Sequence, residues 1–460
     1  MDAKTEVPEK SELKLTKTLA GAALLLAVVA LATAPRNVTP SAFLDQGEAF
    51  FPDFTDPNSA TTLEVIEFDE GTAAARPFKV TNQNGLWTIP SHHDYPADGK
   101  DRLAKTAAGI ISLRKDDFRS DNVSDQESLG VVDPLDETAA SLEGRGKRVT
   151  IKGENDKVLA DIIIGKKIED REGFYFVRVP DQKRVYAAKA DFDISTKFED
   201  WIEKDLLKVE RSKIDEVILK DYSIDERTFR VDERDTVELK KEGGTWKANR
   251  MHANEEVDTT KMNALLGAVD DLSIVGVRLK PDGIDERLSG LTVSRADVLS
   301  LQSRGYYLTR DGDLFSNEGE LQVRTDEGVL YTLRFGEVLY GRGDAISAGA
   351  ESNEEEGSGP GENRYLFITA SFDPSALPEP PRAANRDFED KEESEWTDDD
   401  KENKKVADAH KSWEDEVEKG RESAEELSQR FARWYYVISA DSFDKIHLTR
   451  KDLVKTKDTE

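Results

Sequence analysis

An internal repeat constrains the fold of this chain more than any other feature of its sequence. The stretch "GLWTIPSHHDYPADGKDRLAKTAAGIISL" at 85–113 matches "GTWKANRMHANEEVDTTKMNALLGAVDDLSI" at 244–274. Each copy has Gly-x-Trp, a polar loop, a small apolar residue followed by Asp, and then apolar residues at helical spacing. Self-similarity over this distance predicts two copies of one structural unit.

Each copy predicts an amphipathic helix that begins just after an aspartate. We expect Asp98 and Asp258 to be N-cap residues, whose carboxylates accept the free amides of the first turn. The apolar residues that follow fall on one helical face, namely Leu103, Ala107 and Ile110 in the first copy and Met262, Leu265, Leu266 and Val269 in the second.

The correspondence continues along the chain as a series of predicted strands and turns. The matched segments are 63–69 with 215–221, 128–134 with 288–294, 159–165 with 330–336, 173–180 with 363–370, and 184–194 with 434–446. This order predicts an α+β fold with two tandem repeats of an antiparallel β-sheet with packed helices. The first repeat domain is expected at 60–211 and the second at 212–455. A short helical stretch at 198–212 is expected to close the first domain.

The second repeat differs from the first by two insertions, at 341–363 and 373–433. The longer one replaces the tight connection "DQKR" at 181–184, and its acidic part at 387–403 is expected to be solvated and partly disordered. A heptad-like apolar stripe then predicts a long helix, through Val406, His410, Trp413, Val417, Gly420, Ala424, Leu427, Phe431 and Trp434. Such a helix packs back on its own domain or projects as an arm that docks on a partner, and the remaining alternative is that the segment is disordered.

The N-terminal region predicts attachment to a membrane. The segment "TLAGAALLLAVVALATA" at 18–34 has no charge, and its length is at the lower end of the range for a transmembrane helix. A cleaved signal peptide is the alternative, but Pro35 directly after the possible cleavage site disfavours it. The lysines before the segment predict a cytoplasmic N-terminus at 1–17, an anchor at 18–34, a linker at 35–59 and an extracytoplasmic remainder. The protein is therefore expected to be a single-pass membrane protein.

Charge and cysteine content exclude several classes of function. The formal net charge of −30 disfavours binding to nucleic acid, which requires clustered Lys and Arg. The chain has no cysteine, so disulfides, thiolate metal sites and cysteine nucleophiles are excluded.

The strongest candidate for a metal or catalytic site is the group His92, His93 and Asp94. In the second repeat His93 aligns with His252, whereas Met251 and Ala253 replace the other two residues, so we interpret this segment as an ordinary loop. A calcium loop at 311–322 lacks several required ligands. Trp87 and Trp246 are interpreted as core residues. We therefore predict no catalytic, cofactor-binding or metal-binding residues.

The order of these motifs resembles the bacterial membrane-anchored proteins grouped as domain of unknown function 4340. The matching residues are Gly85-Leu86-Trp87, Ala97-Asp98 and Ile164-Gly165 in the first repeat, and Gly244-Thr245-Trp246, Val257-Asp258 and Phe335-Gly336 in the second. The resemblance implies a single-pass protein of the bacterial inner membrane that is an auxiliary subunit of an exporter system similar to the gliding-motility type of ABC transporter. It supplies no catalytic residues.

We therefore expect a non-enzymatic extracytoplasmic auxiliary or scaffold subunit of a membrane transport complex. Its partners are expected to be integral membrane transporter subunits, contacted through the helical insertion at about 404–432. Two alternatives remain, a periplasmic carboxylate-dependent hydrolase and an acidic binding module for cations or basic peptides.

Overall fold

A computed structural model of the chain describes residues 9–33, 45–139, 141–190, 194–225, 227–228, 230–281, 284, 294–309, 313–341, 347–348 and 362–457. These residues form antiparallel β-sheets with several packed helices, so the predicted combination of antiparallel sheets and helices is confirmed. The insertion at 341–363 and the residues 1–8 and 34–44 lie largely or wholly outside the described part of the chain.

The first large sheet contains the strands between residues 62 and 189. Its strands are β1 (Thr62–Asp69), β2 (Ala74–Gln83), β3 (Leu86–Ile89), β4 (Tyr95–Pro96), β5 (Asp117–Ser120), β6 (Lys147–Lys152), β7 (Val158–Lys167), β8 (Phe174–Arg178) and β9 (Val185–Lys189). Their spatial order is β4-β3-β2-β1-β6-β7-β8-β9-β5, with every pairing antiparallel.

The second large sheet begins at residue 214. Its strands are β10 (Ile214–Asp225), β11 (Arg230–Glu242), β12 (Thr245–Ala248), β14 (Gly276–Leu279), β17 (Glu320–Thr325), β18 (Val329–Tyr340), β19 (Glu362–Phe372) and β20 (Trp434–Ser439). Two short pairs lie beside it, formed by β13 (Glu255–Val257) with β21 (Val454–Thr456) and by β15 (Tyr306–Leu308) with β16 (Leu314–Ser316).

The two large sheets have the same strand order. The second sheet runs β12-β11-β10-β17-β18-β19-β20-β14, and each of its strands takes the place of one strand of the first sheet from β3 to β5. We refer to the residues around the first sheet as the first unit and to those from 214 onward as the second unit.

The helices of the described residues are α1 (Glu9–Thr33), α2 (Lys100–Ser112), α3 (Gln126–Leu129), α4 (Thr259–Asp270), α5 (Arg295–Gln302), α6 (Asp398–Ala432), α7 (Ala440–Ile446) and α8 (Arg450–Leu453). The apolar stripes of α2 and α4 are buried, as their spacing predicts. Burial of these stripes, at roughly 25 cal/mol per Å² of apolar surface, provides the main force that holds each helix on its sheet.

The aspartates before α2 and α4 differ in the role of the carboxylate, but their backbone amides make similar hydrogen bonds. The Asp258 carboxylate caps α4, because its Oδ1 accepts the amides of Thr260 at 2.9 Å and Lys261 at 3.1 Å. The prediction of the same role for Asp98 is wrong, because α2 begins after Gly99, which has no side chain to cap it. The amides of Asp98 and Asp258 nevertheless make equivalent bonds at 2.8 Å, to the carbonyls of Trp201 and Leu453.

In each large sheet, a glycine within one strand allows a second segment of the chain to pass close to that strand. A Cβ on Gly165 would lie 2.6 Å from the Leu129 carbonyl oxygen, and one on Gly336 would lie 2.3 Å from that of Arg304. The strands continue past these glycines, and the pairing register shifts beside each of them, which indicates a β-bulge. Each glycine therefore marks a crossing point and does not end its strand.

A glycine with positive φ precedes the segment that crosses each sheet. Gly130 has φ of 72°, and in the second unit the glycine that precedes the crossing strand is Gly305, with φ of 79°. The segment around Gly305 thus occupies a position similar to that of 128–134, whereas the predicted match at 288–294 lies almost wholly outside the described residues. Residues 285–293 lie outside the described part of the chain.

The segment 198–212 is not the helix that its sequence predicts. It contains only single 3-10 turns, Phe198–Asp200 and Arg211–Lys213. Its apolar side chains are buried between the two units, and the Trp201 indole donates to the Ser195 carbonyl at 2.9 Å. Tertiary burial of Trp201, Ile202, Leu206 and Leu207 has overridden the local helical preference.

The long insertion packs on its own unit. Helix α6 lies mainly along β19, and its buried residues His410, Gly420, Ala424, Leu427 and Phe431 belong to the predicted stripe. A Cβ on Gly420 would lie only 2.3 Å from the Glu327 carbonyl oxygen, so the helix and the β17–β18 turn are in close contact. Near the middle of the helix, the Trp413 indole donates to the Leu377 carbonyl at 2.8 Å.

The expectation of partial disorder at 387–403 is wrong. Phe388 is buried, and the Trp396 indole donates to its carbonyl at 3.1 Å. Thr397 and Asp400 form a capping box at the start of α6, and Lys391 bonds the Asp400 carboxylate at 2.8 Å. A buried aromatic residue and a capped helix start thus order a segment whose composition suggests a solvated chain.

Helix α1 includes most of the predicted anchor. Its leucines and valines between residues 19 and 29 are 47–69% exposed. Within the described residues, the structure contains no helix that meets the length and hydropathy needed to cross a membrane.

Candidate functional site

The structure separates the residues of the candidate histidine site. His92 is buried beneath the loop, whereas His93 and Asp94 are exposed and have φ near 59°. The His92 ring stacks on Phe198 with centroids 4.4 Å apart, and its Nδ1 is 2.9 Å from the Ser91 hydroxyl. Burial lowers the pKa of His92 to about 4, helped by the charges of His93 and Arg278. These contacts make His92 a packing residue that joins the loop before α2 to the segment at 198–200.

The other candidate site residues from the sequence lie against the core or in a strand pair. Trp87 and Trp246 are half-buried against the core, in agreement with their interpretation as core residues. The region of the weak calcium loop forms the β15–β16 pair, although Asp311 lies outside the described residues. In the part of the chain that the structure describes, no three His, Asp or Glu side chains are grouped so that they could hold a metal ion.

A cleft of about 540 Å³ opens where the first unit leads into the second. One wall is the segment 199–205, and the other is the end of α4 with the residues that lead to β14. Ile202, Ile274 and Val275 line its apolar part, whereas carboxylates line the rest, namely Glu199, Asp200, Glu203, Asp205, Asp270 and Asp271. Lys204 is the only cation among the described lining residues.

The local sequence explains why these carboxylates face the cleft. Trp201, Ile202 and Leu206 are buried in the core, so the charged residues between them are turned outward. Across the cleft, Leu272 and Ile274 are buried in the same way, which leaves the aspartates at the end of α4 on the surface. The alternation of buried apolar and exposed acidic residues therefore builds both walls.

The cleft carries an excess of negative charge. Asp200 accepts the Ser195 hydroxyl at 2.5 Å and lies 3.6 Å from an Arg102 guanidinium nitrogen. Asp205 accepts the Lys208 amide at 2.6 Å, and its carbonyl accepts Arg430 of α6 at 2.9 Å. Several carboxylates on a concave surface focus a negative potential, which favours cationic ligands. The sequence does not predict this cleft, because acidic residues are common throughout the chain. Which of them face the cleft is decided by the burial of the apolar residues beside them.

Comparison with known proteins identifies a family for part of the chain. Residues 87–291 match the family model described as Domain of unknown function (DUF4340). The family predicted from the sequence is therefore confirmed over this range, which begins in β3 and extends past β14. No curated protein and no solved structure matched the chain.

Proposed function

We propose that this chain, whose residues 87–291 belong to the domain of unknown function 4340 family, is an auxiliary or scaffold subunit of a membrane transport complex. In this proposal the subunit is non-enzymatic, and α1 anchors it in the inner membrane with the two units outside the cytoplasm. The complex would be similar to the gliding-motility type of ABC exporter, and the partners would be integral membrane subunits.

The exposed apolar surface of α1 is the observation that carries this proposal. Leu24, Leu25 and Leu26 are 66–69% exposed, whereas the leucines of α2 and α4 are buried. Contiguous exposed apolar surface of this kind usually marks a membrane or partner contact. A lipid bilayer would remove these side chains from water and would hold the attached units at the membrane surface.

The similar strand order of the two large sheets supports the proposal of a scaffold. We propose that the two units are copies of one fold, on the basis of their shared strand order and the equivalent crossings at Gly165 and Gly336. In this proposal the second copy differs because α6 replaces a short turn, and the exposed face of α6 would contact the partner.

Anchoring is tested by membrane fractionation of the full-length protein. The variant Leu24→Lys with Leu25→Lys places two charges in the apolar stripe and should move the protein from the membrane to the soluble fraction. The control Val158→Lys changes an exposed residue of β7 and should leave the distribution unchanged. If both variants stay in the membrane fraction after carbonate washing, α1 is not the anchor.

The partner is tested by affinity purification from detergent-solubilised membranes. Deletion of α6 would strip Ala424, Leu427 and Phe431 from the core, so charge reversal of its exposed face is the sharper change. We expect Glu418→Lys with Glu422→Lys to lose permease or ATPase subunits that the natural protein retains. The matched control is Glu169→Lys with Glu172→Lys, exposed residues of the first unit. If no membrane subunit is recovered with the natural protein, the proposal fails.

The acidic cleft supports a second candidate, a binding module for basic peptides. Its test is the binding of an oligolysine peptide by calorimetry at low and high salt. Asp270→Asn with Asp271→Asn should weaken binding, and salt should weaken it further, because the attraction is between exposed charges. Binding that does not change with salt or with these substitutions would remove this candidate.

A further inference from the structure

One lysine is buried where the long helix α6 meets β14, the edge strand of the second sheet. Lys280 follows β14 directly in sequence and is 8% exposed. Its Nζ donates to the Phe431 carbonyl in the last turn of α6 at 3.0 Å, and its backbone amide donates to the Arg433 carbonyl at 2.8 Å. Lys280 therefore joins the C-terminal end of α6 to β14 through its side chain and through its backbone.

The surroundings of this ammonium group replace only part of its water shell. Nζ lies 3.7 Å from the centroid of the Phe367 ring, whose face attracts a cation. An ammonium group can donate more hydrogen bonds than the single one that Lys280 makes to Phe431. A charged Lys280 is therefore poorly solvated while α6 is packed on the sheet.

The charge nearest to Lys280 opposes its protonation. The guanidinium of Arg334 on β18 acts on it, and this group is itself paired with Glu320 at 3.2 Å. Arg278, two residues earlier on β14, is a further buried cation. In the part of the chain that the structure describes, no carboxylate forms an ion pair with Lys280. Burial, with the charge of Arg334, lowers the pKa of Lys280 to about 7 from the usual 10.5.

The other titratable groups on the adjoining elements are cations or neutral hydroxyls. Burial raises the pKa of Tyr435 on β20 to about 12, so its hydroxyl keeps its proton. The guanidinium carbon of Arg304 lies over the Tyr435 ring, 5.0 Å from the centroid. Arg430 of α6 donates to the Asp205 carbonyl at 2.9 Å. A proton taken up by Lys280 therefore adds a positive charge to surroundings that are already positive.

The packing of Lys280 is thus linked to the release of a proton. When the end of α6 separates from β14, the ammonium group reaches water and its pKa returns toward 10.5. Because the pKa is lower in the packed state, packing is favoured as pH rises from about 7 to 10.5 and is weakened as pH falls to about 7. Below that range both states hold the proton, and further acidification changes the balance little.

We propose that Lys280 is a pH-dependent latch, which releases the C-terminal end of α6 from β14 in a growing fraction of molecules as pH falls from alkaline to neutral. Release uncovers Leu427 and Phe431, which are buried in the packed state. This inference rests on the packing of Lys280 and does not depend on the proposed transport role. It adds to that role a control on α6, the helix that is there assigned to the partner.

Local hydrogen exchange of the full-length protein tests the latch. The amides of residues 427–433 and 276–280 are followed at about pH 7 and about pH 9, with rates corrected for the intrinsic pH dependence of exchange. We expect the open fraction to be roughly tenfold or more larger at the lower pH. Lys280→Met, which is neutral at every pH, should abolish this difference. The matched control Lys411→Met, on the exposed face of α6, should retain it.

Equal opening of the natural protein at the two pH values would overturn the latch, because Lys280 would then keep one charge state throughout. A difference that persists in Lys280→Met would also overturn it. So would a difference of the same size in β1 and β6, since that result indicates unfolding of the whole protein. If Lys280→Met does not fold, Lys280→Arg provides a second test. This side chain is charged at every pH, so its opening should be high and equal at both pH values.

Recovery of membrane subunits measures the proposed role separately, so failure of either idea leaves the other standing.

Discussion

The imidazole ring of His92 lies almost parallel to the phenyl ring of Phe198, at an interplanar angle of 7°. This stack joins the loop before α2 to the segment that leads into the second unit. A histidine in this position stabilises the folded protein only while it is neutral, because burial disfavours its charged form. Its contribution is therefore complete above pH 6.5, the usual pKa, and is lost as pH falls through about 4.

We expect His92→Phe to flatten the pH dependence of stability. Between pH 6.5 and pH 4, protonation of His92 in the unfolded chain should account for roughly 3 kcal/mol of the free energy of unfolding. Urea denaturation at several pH values measures this dependence. The control His252→Phe replaces an exposed histidine and should retain the natural slope. Equal slopes for natural protein and His92→Phe would contradict the burial argument.

We expect Gly165→Ala and Gly336→Ala to destabilise the protein similarly, by about 1–3 kcal/mol each. A Cβ at either position would contact a backbone carbonyl oxygen at 2.6 Å or less, and backbone cannot move aside as a flexible side chain can. Thermal or urea denaturation measures the loss. Gly267→Ala is the control, since this helical glycine of α4 has open space around it and the substitution should stabilise by about 0.5–1 kcal/mol.

Gly420→Ala should loosen α6 from its sheet. The added Cβ would lie 2.3 Å from the Glu327 carbonyl oxygen and 2.7 Å from the Phe372 ring, so the helix would have to move outward. In this variant the amides of α6 should exchange faster than in the natural protein, and the increase should be larger in α6 than in the first unit. The free energy of unfolding should fall by about 1–3 kcal/mol. Ser412→Ala, on the exposed face of the same helix, should change neither quantity appreciably. Unchanged exchange in the Gly420 variant would mean that the helix contact is looser than described.

The two aspartates before α2 and α4 provide a matched pair of substitutions. Asp258→Ala should cost about 1 kcal/mol, because it removes two bonds to the first turn of α4. Asp98→Ala should change the free energy of unfolding by less than about 0.5 kcal/mol, since α2 has no side-chain cap. Urea denaturation measures both values. A similar loss in both variants would contradict the assignment of Gly99 as the N-cap of α2.

Helices α4 and α6 were predictable because their sequence signals are periodic and local. The stripe from Met262 to Val269 and the stripe from His410 to Phe431 both face the core, where their spacing places them. The absence of a helix at 198–212 could not be predicted from periodicity, because Trp201 is held by contacts with distant residues. The similar positions of Gly130 and Gly305 were not predicted for a related reason, because they depend on the close approach of another strand, which sequence periodicity does not record. The cleft was hidden because burial, and not residue type, decides which acidic side chains face it.

The different connections at equivalent places in the two sheets have a consequence for the order of folding. Residues 179–184 join β8 to β9, whereas residues 373–433 separate β19 from β20. Closing the longer loop costs roughly 2 kcal/mol more in chain entropy before the strands can pair. We therefore expect the first unit to nucleate ahead of the second, with β20 joining its sheet only after α6 has formed. Pulse-labelled hydrogen exchange during refolding should show early protection in β8 and β9 and late protection in β20.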